Sequence, residues 1–366
     1  MKNYKLLTPG PLTTTETVKA VMMFDHCTWD EDYKGITQEI RRKLLELAQV
    51  EETEYTAVLM QGSGTFGVES VLSSVVPAQG KVLLLSNGAY GERAAKICQY
   101  HKIPCIHISQ AYNKTPDAAE ARRALEEHPE ITHVMMIHSE TTSGILNDIQ
   151  SIGDLAYAHG KTFIVDAMSS FGAVDIPVKD WHIDFLVSSA NKCIQGVPGF
   201  SFILANRKLL MESQGCARSL SLDLYDQWQG MEKDGKWRYT SPTHTVLAFR
   251  QALKELEQEG GVAARHERYQ KNMDALVENF EALGFKLYVD RPWQGPIIAT
   301  FLYPQGKHFD FKDMYAYIKE RGYAIYPGKL TDADTFRIGV IGEIYQEDIQ
   351  RLTEIMKSYM DTVKER

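Results

Sequence analysis

The sequence predicts an α/β protein: a mainly parallel, seven-stranded sheet covered by helices on both faces, followed by a smaller α+β unit. Three observations lead there. Seven short apolar runs rich in branched residues recur up to about residue 205. Amphipathic stretches, with apolar positions three or four apart, separate many of them. Beyond that point the pattern changes to longer helices with a few strand-like pieces between them.

The runs are Thr56–Met60, Val82–Ser86, Cys105–Ile108, His133–His138, Thr162–Asp166, Asp184–Ser189 and Phe200–Leu204. Runs this short and this continuously apolar suit strands buried on both faces, as in a parallel sheet between helical layers. Gly91–His101 and Thr115–Glu127 carry the helical period, and alternation of the two element types builds parallel crossovers. Further on, Thr245–Glu259 and roughly Val262–Leu283 read as long helices. Pro296–Tyr303 and Tyr323–Pro327 read as strands around a helix near Asp313–Arg321. A third strand over Thr335–Val340 and a closing helix over Gln346–Val363 complete the chain. The expected organisation is a short N-terminal segment over 1–15, a large α/β domain over 16–259 and a small α+β domain over 260–366. No repeat, low-complexity tract or long linker separates them, so close packing follows.

At 366 residues the chain exceeds the size at which one core usually stops growing. Its 40 basic and 48 acidic side chains give a formal net charge of −8, so the basic surface that nucleic acid or anionic lipid requires is missing. Apolar residues at 44% and charged residues at 24% are globular values and exclude a disordered or collagen-like chain. No apolar run approaches the roughly 20 residues that span a bilayer. The opening residues hold no apolar stretch long enough for a secretory signal. Cys27, Cys98, Cys105, Cys193 and Cys216 are odd in number and never spaced C-x-x-C, so a reducing cytoplasm and no structural zinc are expected.

In open α/β sheets, ligands bind beyond the carboxyl ends of the strands, so the residues after each run are the candidates. Ser63, Gly64 and Thr65 follow the first run and open a helix-like stretch. Unpaired N–H groups at a helix start, with two hydroxyls beside them, suit a phosphate. The motif is neither a P-loop nor a full G-x-G-x-x-G fingerprint, and taken alone it reads as an ordinary strand-to-helix turn. Asp166 ends a strongly apolar strand, where an unpaired carboxylate is costly and calls for a cation or several donors; a helix cap would also explain it. Lys192 follows the next run among small and apolar residues, where partial burial favours a neutral, nucleophilic amine. A surface lysine with a packed stem is the plainer account of that residue seen singly. Tyr90 reads as a stacking ring or a core aromatic, and His138–Gly144 as a source of hydroxyls or a polar turn.

The combination narrows these alternatives. A phosphate cradle, an acid at one strand end and a lysine 26 residues on at the next are the elements that pyridoxal 5′-phosphate needs. The lysine meets its aldehyde, the carboxylate keeps its ring nitrogen protonated, and the helix terminus holds its phosphate. A charged hydrogen bond to Asp166 would contribute on the order of 1.5–3 kcal/mol. A nicotinamide dehydrogenase would use the Gly-Ser-Gly turn for a pyrophosphate, but the third glycine and the acid about 20 residues on are missing.

Motifs spread over almost the whole chain carry a resemblance. They are Leu6–Thr14, Phe24–Asp30, Asn87–Gly91, His138–Gly144, Val165–Gly172, Ser188–Phe200, Ser219–Tyr225, Arg238–Thr245 and Phe336–Gly342. Together they resemble the fold type I pyridoxal-phosphate aminotransferases of the alanine:glyoxylate, or class V, group. Cys27–Asp30 and Ser188–Phe200 resemble the branch of that group that acts on an aminophosphonate. The implied reaction is 2-aminoethylphosphonate plus pyruvate giving phosphonoacetaldehyde plus L-alanine, a ping-pong step of phosphonate catabolism in the cytoplasm. An alanine:glyoxylate or serine:pyruvate aminotransferase is the alternative. A cysteine desulfurase shares the architecture but needs a reactive cysteine on a mobile C-terminal loop, and the last cysteine here is Cys216.

Carried onto this chain, the resemblance implies Lys192 as the lysine that joins the cofactor and Asp166 as the partner of the pyridine nitrogen. It implies Tyr90 as the stacking ring, Ser63, Gly64 and Thr65 as the phosphate cradle, and Thr141 near the ring. Arg337 corresponds to the arginine that clamps the substrate carboxylate. Thr240, in Thr240-Ser-Pro242, would reach the phosphate of a neighbouring subunit, which makes a homodimer the active unit. Segment 1–15 is expected at the active site, with Arg93, Arg218 and Thr8–Pro11 as further candidates for an anion pocket. No metal is expected.

Overall fold

The computed structural model describes residues 4–304, 309–328, 330 and 333–364. Residues 1–3 of the expected N-terminal segment, and 305–308, 329, 331–332 and 365–366 of the expected small domain, lie outside the described residues.

The apolar runs form one seven-stranded sheet of Tyr55–Gln61, Val82–Ser86, Cys105–Ser109, His133–Ile137, Thr162–Asp166, Phe185–Ser189 and Phe200–Asn206. Across the sheet the strands lie in the order Tyr55, Phe200, Phe185, Thr162, His133, Val82, Cys105, by first residue. All pairings are parallel except the two made by Phe200–Asn206, which runs against both neighbours. The inner strands are buried along nearly all their length. Each fully buried Val, Leu or Ile there contributes roughly 1.5–3 kcal/mol. Cys105–Ser109, at the edge, exposes His107 and Ser109, and polar side chains on an edge discourage further pairing. Helix Gly64–Val75 crosses the Phe185 and Phe200 strands so closely that a Cβ on Gly67 would stand 2.7 Å from Ser201 Oγ.

Some elements differ from expectation. Asp117 accepts from Ala119 N–H at 2.8 Å and caps a helix over Ala118–Glu127, so that helix starts later than Thr115. A helix over Glu31–Leu47, outside the expected elements, buries Tyr33, Ile36, Ile40 and Leu44 at helical spacing. Tyr323–Pro327 divides in two. Tyr323–Ala324 pairs in parallel with Lys5–Leu6, while Tyr326–Pro327 joins an antiparallel sheet with Thr335–Gly339, Ile298–Leu302 and Lys286–Leu287.

A second core, including Met273, Phe280, Phe301, Phe336 and Leu352, gathers under this sheet and the helices Gly261–Ala282 and Gln346–Lys364. A small third cluster of Leu12, Ala173, Cys193, Tyr269, Ile297 and Ile341 ties the N-terminal segment to the turn that holds Lys192.

Candidate active site

Sheet register brings the candidate groups together. Asp166, the last residue of its strand, pairs with Val187 of the parallel neighbour; that strand ends at Ser189, and Lys192 follows three residues on. Both groups therefore stand at one carboxyl edge, where α/β sheets bind ligands. Tyr55–Gln61 runs in the same direction and delivers Ser63 and the helix start to that edge. Ser63, Gly64, Thr65, Tyr90, Asp166 and Lys192 line one cleft of about 180 Å³, joined by Arg93, Met168 and Asn191.

Asp166 is buried, and its Oδ1 accepts from Met168 N–H at 2.9 Å. Burial pushes its pKa up to about 6. The Met168 N–H opposes this, the nearby Glu140 carboxyl adds to it, and Lys192 and Arg93 oppose it more weakly. Asp166 is thus a buried carboxyl whose desolvation is only partly compensated by its neighbours. Lys192, half-buried, donates from Nζ to the Pro9 carbonyl at 2.7 Å. The N-terminal segment approaches so closely that a Cβ on Gly10, whose φ is +114°, would stand 2.8 Å from Lys192 Cδ.

At the other end of the cleft, helix Gly64–Val75 starts from Ser63, whose side chain makes no capping bond, with no acid in the first turn. Arg93 donates from Nη1 to Thr65 Oγ1 at 3.1 Å, and its guanidinium lies 5.0 Å from the Tyr90 ring centre. A positive helix terminus, two hydroxyls and a guanidinium converge on a place for an anion.

Thr141, Thr240 and Arg337 are not among the residues lining this cleft. Arg337 is buried beside it, donating from Nε to Pro327 O at 3.0 Å and from Nη1 to Thr141 O at 2.8 Å. Burial lowers its pKa, and the Tyr90 and Tyr326 phenols and Glu140 act in the opposite sense, so Arg337 lies within electrostatic reach of Tyr90. Thr240 is at the exposed surface, where its carbonyl accepts from Gln61 Nε2. Arg218 is occupied elsewhere: it donates to the carbonyls of Ser73, Val76 and Pro77 at the end of helix Gly64–Val75. Of the three anion-pocket candidates, Arg93 and Thr8–Pro11 reach the Lys192 region. Glu140, a fully buried acid near Asp166, is absent from the sequence-derived candidates because it ends no apolar run and sits in a serine- and threonine-rich stretch that reads as a polar turn. Among the described residues, no group of three or more His, Cys, Asp and Glu is placed to hold a metal ion.

Residues 25–352 match the family described as Aminotransferase class-V, and the chain belongs to that family. Its architecture is that of fold type I enzymes. Two relatives are each described as a 2-aminoethylphosphonate–pyruvate transaminase. That of Lysinibacillus sphaericus (strain C3-41) is 56% identical over 360 residues, which cover 98% of this chain and 98% of the relative. That of Phocaeicola vulgatus (strain ATCC 8482) is 53% identical over 360 residues, 98% of this chain and 99% of the relative. Among solved structures, the ureidoglycine–glyoxylate aminotransferase of Bacillus subtilis superposes with a TM-score of 0.91 at 22% identity, covering 100% of this chain and 94% of that one. This likeness bears on the fold alone.

Proposed function

We propose that this protein is a pyridoxal-phosphate-dependent aminotransferase that converts 2-aminoethylphosphonate and pyruvate to phosphonoacetaldehyde and L-alanine. The carrying observation is the convergence of Asp166, Lys192 and the uncapped Gly64 helix on one cleft. The relatives' described activity supports the choice of substrates.

The residues fit the cofactor. The undercompensated Asp166 carboxylate matches a protonated ring nitrogen, the open helix terminus with Arg93 matches a phosphate, and Lys192 lines the same cleft. The bound cofactor supplies an electron-accepting ring that spreads negative charge from the substrate carbon. Asp166 would hold the proton on the ring nitrogen, Tyr90 would stack on the ring, Ser63, Gly64 and Thr65 would hold the phosphate, and Thr141 would complete the ring's surroundings. Lys192 Nζ takes the proton from the carbon bearing the substrate amine, and the Pro9 carbonyl orients that nitrogen. Arg337 binds the acid group of each substrate in turn, because its planar fork matches carboxylate and phosphonate oxygens.

The active unit is a cytoplasmic homodimer in which Thr240 reaches the neighbouring subunit's phosphate. Supporting this, Thr240 is exposed, and so are the large apolar side chains Met23, Phe24 and Trp29, 82%, 66% and 68% exposed, which a second copy would cover. Residues 16–259 hold the cofactor, while segment 1–15 and residues 260–366 close the site. No helix among the described residues is long and apolar enough to cross a membrane.

The test is a donor panel. Purified protein with pyridoxal phosphate should form L-alanine and phosphonoacetaldehyde one for one from 2-aminoethylphosphonate and pyruvate, and little alanine from serine. A preference for serine, or for glyoxylate over pyruvate, would overturn the substrate assignment in favour of another member of the family.

A further inference from the structure

Helix Ala89–Tyr100 carries Tyr90 and Arg93 into the cleft, yet its N-cap is Gly88 and no capping side chain of its own is available. Its first N–H groups are met from another element. Ala89 N–H donates to Thr142 Oγ1 at 3.1 Å and Tyr90 N–H to Glu140 Oε2 at 3.3 Å, and the Gly91 N–H is close enough to favour the charged form of the Glu140 carboxyl. The second carboxyl oxygen, Oε1, accepts from Thr142 N–H at 3.0 Å. A Cβ on Gly88 would stand 2.3 Å from Glu140 Cδ, so the missing side chain is what admits the carboxyl.

Glu140 is fully buried, a position that disfavours charge, and burial does push its pKa upward. Its surroundings answer that cost. Both oxygens face donors, which an ionised carboxylate satisfies at each oxygen, whereas an amide must turn its NH₂ onto one of those N–H groups. The positive end of the helix favours the same charge. Glu140 lies on the hairpin Ser139–Glu140/Ile145–Leu146, whose turn also presents the Thr141 carbonyl to Arg337. A reciprocal pair between Asn87 and Asn147, at 2.8 and 3.0 Å, ties the same two segments a second time.

We propose that Glu140 is a positioning residue: its ionised carboxylate caps the Tyr90 helix from the neighbouring hairpin and fixes Tyr90 and Arg93 relative to the turn that holds Arg337. A corollary is that only one of the two helix termini at this cleft is open to a ligand anion, the one at Gly64. The catalytic consequence rests on the proposed function, in which Arg337 binds the acid group of pyruvate.

The test compares Glu140→Gln, Thr142→Val and Arg337→Lys with the wild-type holoenzyme. In Glu140→Gln, amide exchange over residues 89–91 should quicken by roughly fivefold or more while the Tyr55–Gln61 strand is unchanged, because a buried N–H loses its acceptor. The pyruvate KM should rise roughly tenfold, with kcat falling less, a split that general destabilisation would not produce. Thr142→Val keeps the carboxylate and loses one acceptor, so it should move both readouts in the same direction by less. If Glu140→Gln does not fold, Thr142→Val decides by the same readouts. Unchanged exchange over 89–91 in a folded variant would overturn the proposal, as would an unchanged pyruvate KM when Arg337→Lys raises it. If Arg337→Lys itself leaves that KM unchanged, the assigned role of Arg337 falls, and exchange over 89–91 alone decides for or against Glu140.

Discussion

Asp166 should destabilise the cofactor-free protein at neutral pH, and Asp166→Asn should relieve the cost. The carboxyl titrates near 6 in the fold against an ordinary value of 3.8. At about 1.36 kcal/mol per pK unit, that difference amounts to about 3 kcal/mol against the ionised form. The native state binds the proton more tightly than the unfolded chain. The contribution of Asp166 to stability is therefore most favourable below pH 3.8, falls as the pH rises from 3.8 to 6 and stays low above that window. Asp184, also pushed up to about 6 by burial, contributes in the same direction in both proteins, so the comparison cancels it. Asn at 166 keeps an oxygen for the Met168 N–H and removes the charge. Urea unfolding of both cofactor-free proteins should show the variant more stable by up to about 3 kcal/mol at pH 8, with the gain shrinking below about 1 kcal/mol near pH 4. A variant no more stable at pH 8, or a gain independent of pH, would refute the reasoning. The same exchange should remove most turnover from the holoenzyme, because the costly carboxylate is the group the cofactor requires.

Arg337→Lys should raise the pyruvate KM by roughly tenfold or more in steady-state assays, since a point charge replaces a planar fork; an unchanged KM would refute the clamp. Gly64→Ala would place a Cβ 2.2 Å from Met168 Sδ, so the methionine must move within the cleft lining. Cofactor retention on dialysis should fall several-fold, and wild-type retention would contradict the cradle. Gln195 follows Lys192 by three residues at φ +70°, with its N–H on Lys192 O at 2.7 Å and its side chain on Tyr269 OH and Gly342 O at 2.5 and 3.0 Å. Gln195→Ala should cost roughly 2–3 kcal/mol in thermal unfolding, and Gln195→Gly about 1 kcal/mol less because glycine tolerates that backbone; equal losses would show that backbone strain is irrelevant there.

What could be read from the chain was local, and what could not was paired across long separations. Asp166 and Lys192 are legible because one ends an apolar run and the other follows the end of the next, and a parallel sheet places such ends at one edge. Glu140 lies in a run of serine and threonine that reads as a turn, and the helix N–H groups it caps, at residue 90 and its neighbour, are some 50 positions away. The Pro9 carbonyl on Lys192 and the Thr141 carbonyl on Arg337 span 183 and 196 residues, and no spacing rule reaches that far. Helix Glu31–Leu47 buries Lys34 and Arg41 beside its apolar face, and their partners Asp234 and Glu232 lie far along the chain, so its stripe is interrupted by charge. The two-residue strands at Lys5, Tyr323 and Tyr326 are too short for any period to show.

The central claim is that Lys192, one strand over from Asp166, is the residue to which the cofactor is joined. The direct measurement is borohydride reduction of the protein with pyridoxal phosphate, followed by digestion and mass mapping of the fixed cofactor. The proposed site predicts one labelled peptide carrying Lys192, and none in Lys192→Ala. Label on another lysine, or undiminished label in Lys192→Ala, would contradict it.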